Sequence, residues 1–95
     1  MIRHTGGDRL EVSGALTLGQ AREMLEAGCR HLDGRPQARF DLSAVHEVDS
    51  SGLTVIFGWV RTAQRLGKPV SIVNPPQNLL SLARLYGVTE LLPLV

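Results

Sequence analysis

The spacing of apolar and polar positions divides the chain into seven elements. Short alternating or apolar runs at residues 2–5, 10–13, 38–42 and 70–73 predict strands. Apolar positions at helical intervals predict three helices, at residues 18–32, 51–66 and 79–86. The order β-β-α-β-α-β-α predicts an α/β domain with a small mixed sheet of about four strands. Its later strands are expected to be parallel with right-handed crossovers, and its helices to pack mainly on one face.

The helix predicted at residues 51–66 has two apolar stripes. One stripe groups Leu53, Ile56, Phe57, Val60 and Ala63 on one arc, which we assign to the core. A second stripe, displaced by roughly a third of a turn, is formed by Val55, Trp59 and Leu66 with Thr62, and Arg61 and Arg65 lie on the remaining side.

A surface helix needs only one apolar stripe. The second stripe therefore indicates either a helix buried more deeply than usual or a partner surface anchored by a tryptophan. Our hypothesis is a partner surface that comprises Val55, Trp59, Thr62, Leu66, Arg61 and Arg65.

The segment at residues 48–53, Val-Asp-Ser-Ser-Gly-Leu, lies where a strand leads into this helix. A serine at such a junction can be the N-cap, with its oxygen accepting a hydrogen bond from a first-turn N–H. The helix start also favours an anion, so a hydroxyl there suits a phosphoryl group. From the residues alone, Ser50 is either a cap or a functional hydroxyl.

Composition and charge limit the function classes. The 95 residues suit one domain, residues 1–95, and 43% hydrophobic content allows a real core. The net charge of +1 argues against a general nucleic-acid binder. A single cysteine, Cys29, excludes an internal disulfide, and no apolar run approaches the ~20 residues of a membrane span. We expect a soluble cytoplasmic protein.

No catalytic or metal-binding pattern emerges. The chain has neither a glycine-rich phosphate loop with lysine nor a G-x-S-x-G elbow, and nothing orients His46 as a base for Ser50. His46, Glu47 and Asp49 lack the spacing of two ligands on one helix face. We predict no enzyme, no cofactor and no metal.

Two segments resemble the signature of the STAS domain, which sulfate transporters share with anti-sigma-factor antagonists. They are Phe-Asp-Leu-Ser-Ala-Val at residues 40–45 and the segment at residues 48–53. In the antagonists, the first serine of the Asp-Ser-Ser-Gly turn accepts a phosphate from an anti-sigma kinase, which implies that role for Ser50. We expect the turn to be supported by Asp41, Asp49, Ser51 and Gly52.

The chain also resembles the small STAS subunit of Mla-type phospholipid ABC transporters in its size and in two segments. These are Thr-Gly-Gly-Asp at residues 5–8 and Leu-Ala-Arg-Leu-Tyr at residues 82–86. The resemblance implies a non-catalytic subunit that docks on the cytoplasmic ATPase and reaches the inner membrane only through it. One branch of that family has Thr-Gly-Gly where this chain has Ser50, Ser51 and Gly52. The alternatives are an antagonist regulated by phosphorylation of Ser50 and, third, a nucleotide-binding STAS domain.

Overall fold

The structure is a computed structural model that describes residues 1–95. The strands are β1 (Ile2–Gly6), β2 (Arg9–Leu16), β3 (Ala38–Val48) and β4 (Val70–Val73), and the helices are α1 (Ala21–Asp33), α2 (Ser50–Leu66) and α3 (Gln77–Leu85). Two short 3-10 turns, Leu18–Gln20 and Thr89–Leu91, precede α1 and follow α3. None of the helices combines the length and the apolar character that a membrane crossing requires.

The four strands form one mixed sheet in the order β1-β2-β3-β4. The hairpin partners β1 and β2 are antiparallel, whereas β2, β3 and β4 run parallel. Successive right-handed crossovers in one direction place their helices on the same face of a sheet. The α/β class, the four-stranded mixed sheet and the order of elements are confirmed.

The core lies between the sheet and the helices. The strand register puts Leu10 beside Phe40 and Phe40 beside Ile72, which gives a continuous apolar row across three strands. All three side chains are fully buried. The ring of Trp59, from α2, stacks on Phe40 with centroids 4.2 Å apart, so α2 is fixed against the centre of the sheet.

The third strand is longer than predicted. The sequence pattern predicts a strand only at residues 38–42, but β3 continues to Val48. Its pairing with β2 shifts register twice, between Glu11 and Ser13 and again between Gly14 and Ala15. Each shift adds a residue to β3 and breaks the two-residue alternation that marks a strand in the sequence. The segment therefore has the sequence pattern of a loop although it is hydrogen-bonded as a strand.

The face of the sheet away from the helices is polar. Arg3 pairs with Glu11 at 2.9 Å, Arg9 with Asp41 at 2.7 Å, and Arg39 with Asp8 at 2.9 Å. These pairs link β1 to β2, β2 to β3, and β3 to the β1–β2 turn. This face therefore has its own side-chain network, although no helix covers it.

A candidate interface around Ser50

The N-cap of α2 is Asp49, not Ser50. One carboxylate oxygen of Asp49 accepts a hydrogen bond from the Ser51 N–H at 2.8 Å, and the other accepts from the Leu18 N–H at 3.1 Å. Asp49 therefore caps the helix and also ties it to the segment that follows β2. The Ser50 hydroxyl therefore does not cap the helix.

Gly52 allows α2 to pack closely on the end of β2. A Cβ at this position would lie 2.7 Å from the Leu16 carbonyl oxygen and 2.9 Å from the Val48 side chain. The first of these atoms belongs to backbone and cannot rotate away. Asp49, Ser51 and Gly52 thus form a rigid turn that fixes the position of Ser50.

Ser50 is exposed and borders two adjacent hollows. The first, of about 390 Å³, is lined by Ser50, Ser51, Leu53, Thr54, Phe57, Tyr86 and Val88. The second, of about 400 Å³, is lined by Val48, Asp49, Ser50, Asn78, Ser81, Leu82 and Tyr86. Ser50 and Tyr86 belong to both, so together they form the ridge between a mostly apolar hollow and a more polar one. We call the Ser50 surface the exposed area formed by Ser50, Thr54, Phe57, Tyr86 and Val88.

Tyr86 and Phe57 are site residues that the sequence analysis missed. Tyr86, the last residue of the helix predicted at residues 79–86, follows the end of α3 and is 55% exposed. Phe57, assigned to the core, is half-buried and lines the first hollow. The Leu-Ala-Arg-Leu-Tyr segment at residues 82–86 was the only signal that could have pointed to a role for Tyr86, and it came from the resemblance rather than from periodicity.

The predicted partner stripe on α2 is wrong for its central residues. Val55 and Trp59 are buried, at 1% and 0% exposure, and the Trp59 indole N–H donates to the Met24 carbonyl of α1 at 3.1 Å. Thr62 is half-buried, with its hydroxyl oxygen 3.3 Å from the Cys29 sulfur. Val55, Trp59 and Thr62 therefore lie inside the domain, with Trp59 between the sheet and α1, and they do not form a free surface.

The exposed side of α2 is a different stripe. At about 100° per residue, Ser50, Thr54, Phe57, Arg61 and Arg65 fall within an arc of about 80°. Four of the five are exposed and Phe57 is half-buried. Of the predicted interface residues, Arg61 and Arg65 are exposed and share this face with Ser50. Leu66 is also accessible, at 41% exposure, but lies on another side of the helix.

Asp41 does not belong to the turn. Its carboxylate accepts hydrogen bonds from Arg9 at 2.7 Å, from the Ser43 N–H at 3.0 Å and from Asn74 at 3.1 Å. Burial raises the pKa of Asp41, but these hydrogen bonds outweigh that effect and hold its pKa below the usual value. Asp41 joins β2, β3 and the loop after β4, so the expectation that it supports the Ser50 turn directly is wrong.

Nowhere does the structure bring together three His, Cys, Asp or Glu side chains that could hold a metal ion. His46 is exposed on β3 and makes no hydrogen bond to Ser50. The geometry at Ser50 therefore presents a hydroxyl on a ridge, with no base in contact with it.

Comparison with known proteins identifies the family. A family model described as "Mlab, STAS domain" matches residues 1–93. The chain belongs to the STAS domain family. One relative of this STAS protein is the intermembrane phospholipid transport system binding protein MlaB of Haemophilus influenzae, 37% identical over 51 residues. That match covers 54% of this chain and 49% of MlaB, so it spans about half the length of the relative.

Solved structures show the same fold. The anti-sigma factor antagonist SpoIIAA in its unphosphorylated form matches 100% of this STAS chain with 86% of its own, at a TM-score of 0.73 and 11% identity. An anti-sigma factor antagonist from Mycobacterium paratuberculosis matches 99% of this chain with 81% of its own, at a TM-score of 0.75 and 26% identity. The Bacillus SpoIIAA also matches in its phosphorylated form, at a TM-score of 0.69 and 11% identity over 100% of this chain and 89% of its own.

Proposed function

We propose that this STAS protein is a non-catalytic subunit of a phospholipid transport system and docks on the cytoplasmic ATPase of that transporter through the Ser50 surface. The observation that carries the proposal is the exposure of Ser50 on a ridge between two hollows, above a turn made rigid by Asp49 and Gly52. The relationship to MlaB indicates the transport system.

The Ser50 surface has the chemistry of a protein contact. The first hollow is lined mainly by apolar groups from Leu53, Phe57 and Val88, and is wide enough for one partner side chain. The hydroxyl of Ser50 can both donate and accept a hydrogen bond with little side-chain entropy to lose. A partner that covers this ridge would remove the remaining exposed area of Tyr86 from water.

A phosphorylated Ser50 is the basis of the second candidate function, an antagonist controlled by an anti-sigma kinase. The likeness to the phosphorylated SpoIIAA structure and the exposure of the Ser50 hydroxyl favour it. No lysine or arginine lines either hollow, and Asp49 is the neighbouring residue. A phosphate there would add about two negative charges with no cation beside them, so it would oppose any partner that covers the ridge.

The test is a titration of the purified transporter ATPase from the same organism against wild type, Ser50→Ala, Ser50→Asp and the control Thr5→Asp. Thr5 is an exposed hydroxyl residue on β1, remote in the sheet from α2. We expect Ser50→Asp to lose binding by about thirtyfold or more, the size of a hot-spot effect, while Thr5→Asp binds as wild type. A thermal melt of each variant checks folding.

The outcomes separate the candidates. Normal ATPase binding by both Ser50 variants would show that the docking surface lies elsewhere. If wild type fails to bind the ATPase but binds an anti-sigma kinase that adds one phosphate to Ser50, detected by mass, the second candidate is correct. Loss of binding by Ser50→Ala as well as Ser50→Asp would make the hydroxyl a fixed contact, which favours the transporter subunit.

A further inference from the structure

The charges of the protein are unevenly distributed along the chain. Residues 50–89, which include α2, β4 and α3, contain Arg61, Arg65, Lys68 and Arg84 and no aspartate or glutamate. All three ion pairs of the protein lie outside this segment, on the open side of the sheet. The segment that contributes every residue of the Ser50 surface therefore has four positive and no negative side chains, although the whole chain carries only +1.

One of these four cations already has a structural partner. The Lys68 ammonium donates to the carbonyl oxygens of Leu32 and Asp33, at 2.7 and 3.1 Å, and so caps the end of α1. Arg61 and Arg65 have no ion pair and no side-chain hydrogen bond, and both are exposed. Their charges are available to a partner.

Arg61 and Arg65 continue the Ser50 surface along α2. They share the arc of about 80° that contains Ser50, Thr54 and Phe57, and they follow Ser50 by about 16 and 22 Å at 1.5 Å per residue. A rigid helix thus presents a hydroxyl, an apolar hollow and two guanidinium groups in a line. The distance from Ser50 to Arg65 along α2 equals about four turns of a helix, so a partner helix of that length could contact the whole line.

We infer that the partner of the Ser50 surface presents an acidic amphipathic segment that lies along α2. Its apolar side chains fill the hollow bordered by Phe57 and Tyr86, and its carboxylates meet Arg61 and Arg65, whose planar guanidinium groups suit paired carboxylate oxygens. This inference rests on the proposed function, since it describes the chemistry of what docks there. The segment has three cations without an ion pair, Arg61, Arg65 and Arg84. This is fewer than the four to eight that mark binding to an anionic membrane surface, so a protein segment is the better occupant.

The test compares two double variants with the same change of net charge. Arg61→Glu with Arg65→Glu reverses the charges of the α2 stripe, and Arg22→Glu with Arg30→Glu reverses two exposed charges on α1. Each is titrated against the purified transporter ATPase at low and high salt. We expect the α2 variant to lose affinity by about tenfold or more at low salt, mainly through a slower association rate, and this loss to shrink at high salt because salt screens the new repulsion. The α1 variant should bind as wild type.

Two further measurements keep the inference falsifiable. Arg61→Gln with Arg65→Gln removes the charges without adding acidic groups and should show a smaller loss of ATPase affinity. This variant replaces the charge reversal in the test if the reversed variant is thermally unstable. Vesicles of phosphatidylglycerol test the membrane as occupant: if wild type binds them, and the α2 reversal abolishes that binding but leaves ATPase affinity unchanged, the inference is overturned.

Ser50→Asp in the same titration separates a failure of the proposed docking through the Ser50 surface from a failure of the inferred acidic segment. If Ser50→Asp loses ATPase binding while the α2 reversal does not, the proposed function stands and the acidic segment is wrong. An equal loss in the α1 and α2 reversals would show a general charge effect and would also overturn the inference. If Ser50→Asp and both reversals bind normally, the Ser50 surface is not the docking site, and the proposed function itself fails.

Discussion

Trp59 is fully enclosed by the domain, with its ring stacked on Phe40 and its N–H bonded to the Met24 carbonyl. Truncating it removes the largest buried side chain and leaves that carbonyl of α1 without its side-chain donor. We expect Trp59→Ala to lower the free energy of unfolding by about 3–5 kcal/mol. Phe57→Ala is the matched control, and because Phe57 is only half-buried it should cost about 1–2 kcal/mol.

Chemical denaturation followed by circular dichroism measures both variants. The reverse order, with Phe57→Ala the more damaging, would mean that α2 is rotated from the orientation described. Because Trp59 is buried in the folded state, its fluorescence should change when the domain unfolds. The indole does not line the hollow beside Ser50, so a partner bound there should not be in contact with it.

The cap assignment at the start of α2 predicts a difference between two adjacent residues. Asp49 accepts hydrogen bonds from two backbone N–H groups, whereas Ser50 makes none of the side-chain bonds that hold the turn. Asp49→Ala should therefore cost about 1–2 kcal/mol, and Ser50→Ala less than about 0.5 kcal/mol. Thermal melts of the two variants decide the point, and equal losses would contradict Asp49 as the cap.

The lowered pKa of Asp41 predicts an acid dependence of stability. A carboxyl whose pKa is lower in the folded state stabilises the protein above its unfolded pKa of about 3.9, and this contribution is lost as pH falls through the folded pKa. We expect the denaturation midpoint of wild type to fall below about pH 4 more steeply than that of Asp41→Asn.

Urea midpoints between pH 7 and pH 3 give this comparison. Asp8, whose pKa is also lowered through its hydrogen bond with Arg39, provides a second variant, Asp8→Asn, that leaves the Asp41 network intact. If Asp41→Asn retained the full slope of wild type, other carboxylates would account for the acid sensitivity.

The helix α2 shows why a wide apolar helix was ambiguous in the sequence. Its second stripe is buried inside the domain, because Trp59 stacks on Phe40 of the sheet and also donates to the Met24 carbonyl of α1. Periodicity reported both stripes correctly, but it could not tell an internal helix neighbour from an external protein. Which of the two covers the second stripe depends on where α1 packs in the tertiary structure.

Two glycines at the α1–α2 contact should respond differently to alanine. A Cβ on Gly28 would collide with the ring of Trp59, which is itself held by Phe40 and Met24. A Cβ on Gly58 would meet only the end of the Leu25 side chain, which can rotate. Gly28→Ala should therefore destabilise by about 1–3 kcal/mol through overpacking. Gly58→Ala should be close to neutral or stabilising by up to about 1 kcal/mol, since alanine favours the helix.

Denaturation midpoints of the two glycine variants measure this difference. A large loss of stability in Gly58→Ala would show that the Leu25 side chain cannot move away from the added methyl group, and hence that the two helices pack more tightly there than the structure indicates.

For the molecule as a whole, the sequence predicted the order and class of the elements, since these follow from local periodicity and the alternation of strands and helices. It also pointed to Ser50 through the resemblance of one short turn. It could not predict that Tyr86 and Val88 would lie beside Ser50, because they are more than 30 residues further along the chain and reach the site only through the packing of α3. The two register shifts in β3 were likewise invisible, since they depend on the pairing with β2.

The sheet order has a consequence for synthesis on the ribosome. Every strand pairs with the strand before it in the chain, so each new strand emerges when its partner has already left the exit tunnel. The hairpin of β1 and β2 can form first, then β3 with α1 above it, then β4. No strand needs to insert between two that are already paired. Nascent chains stalled after successive elements should therefore gain protease resistance in steps, beginning once β3 and α2 are both exposed to solvent outside the tunnel.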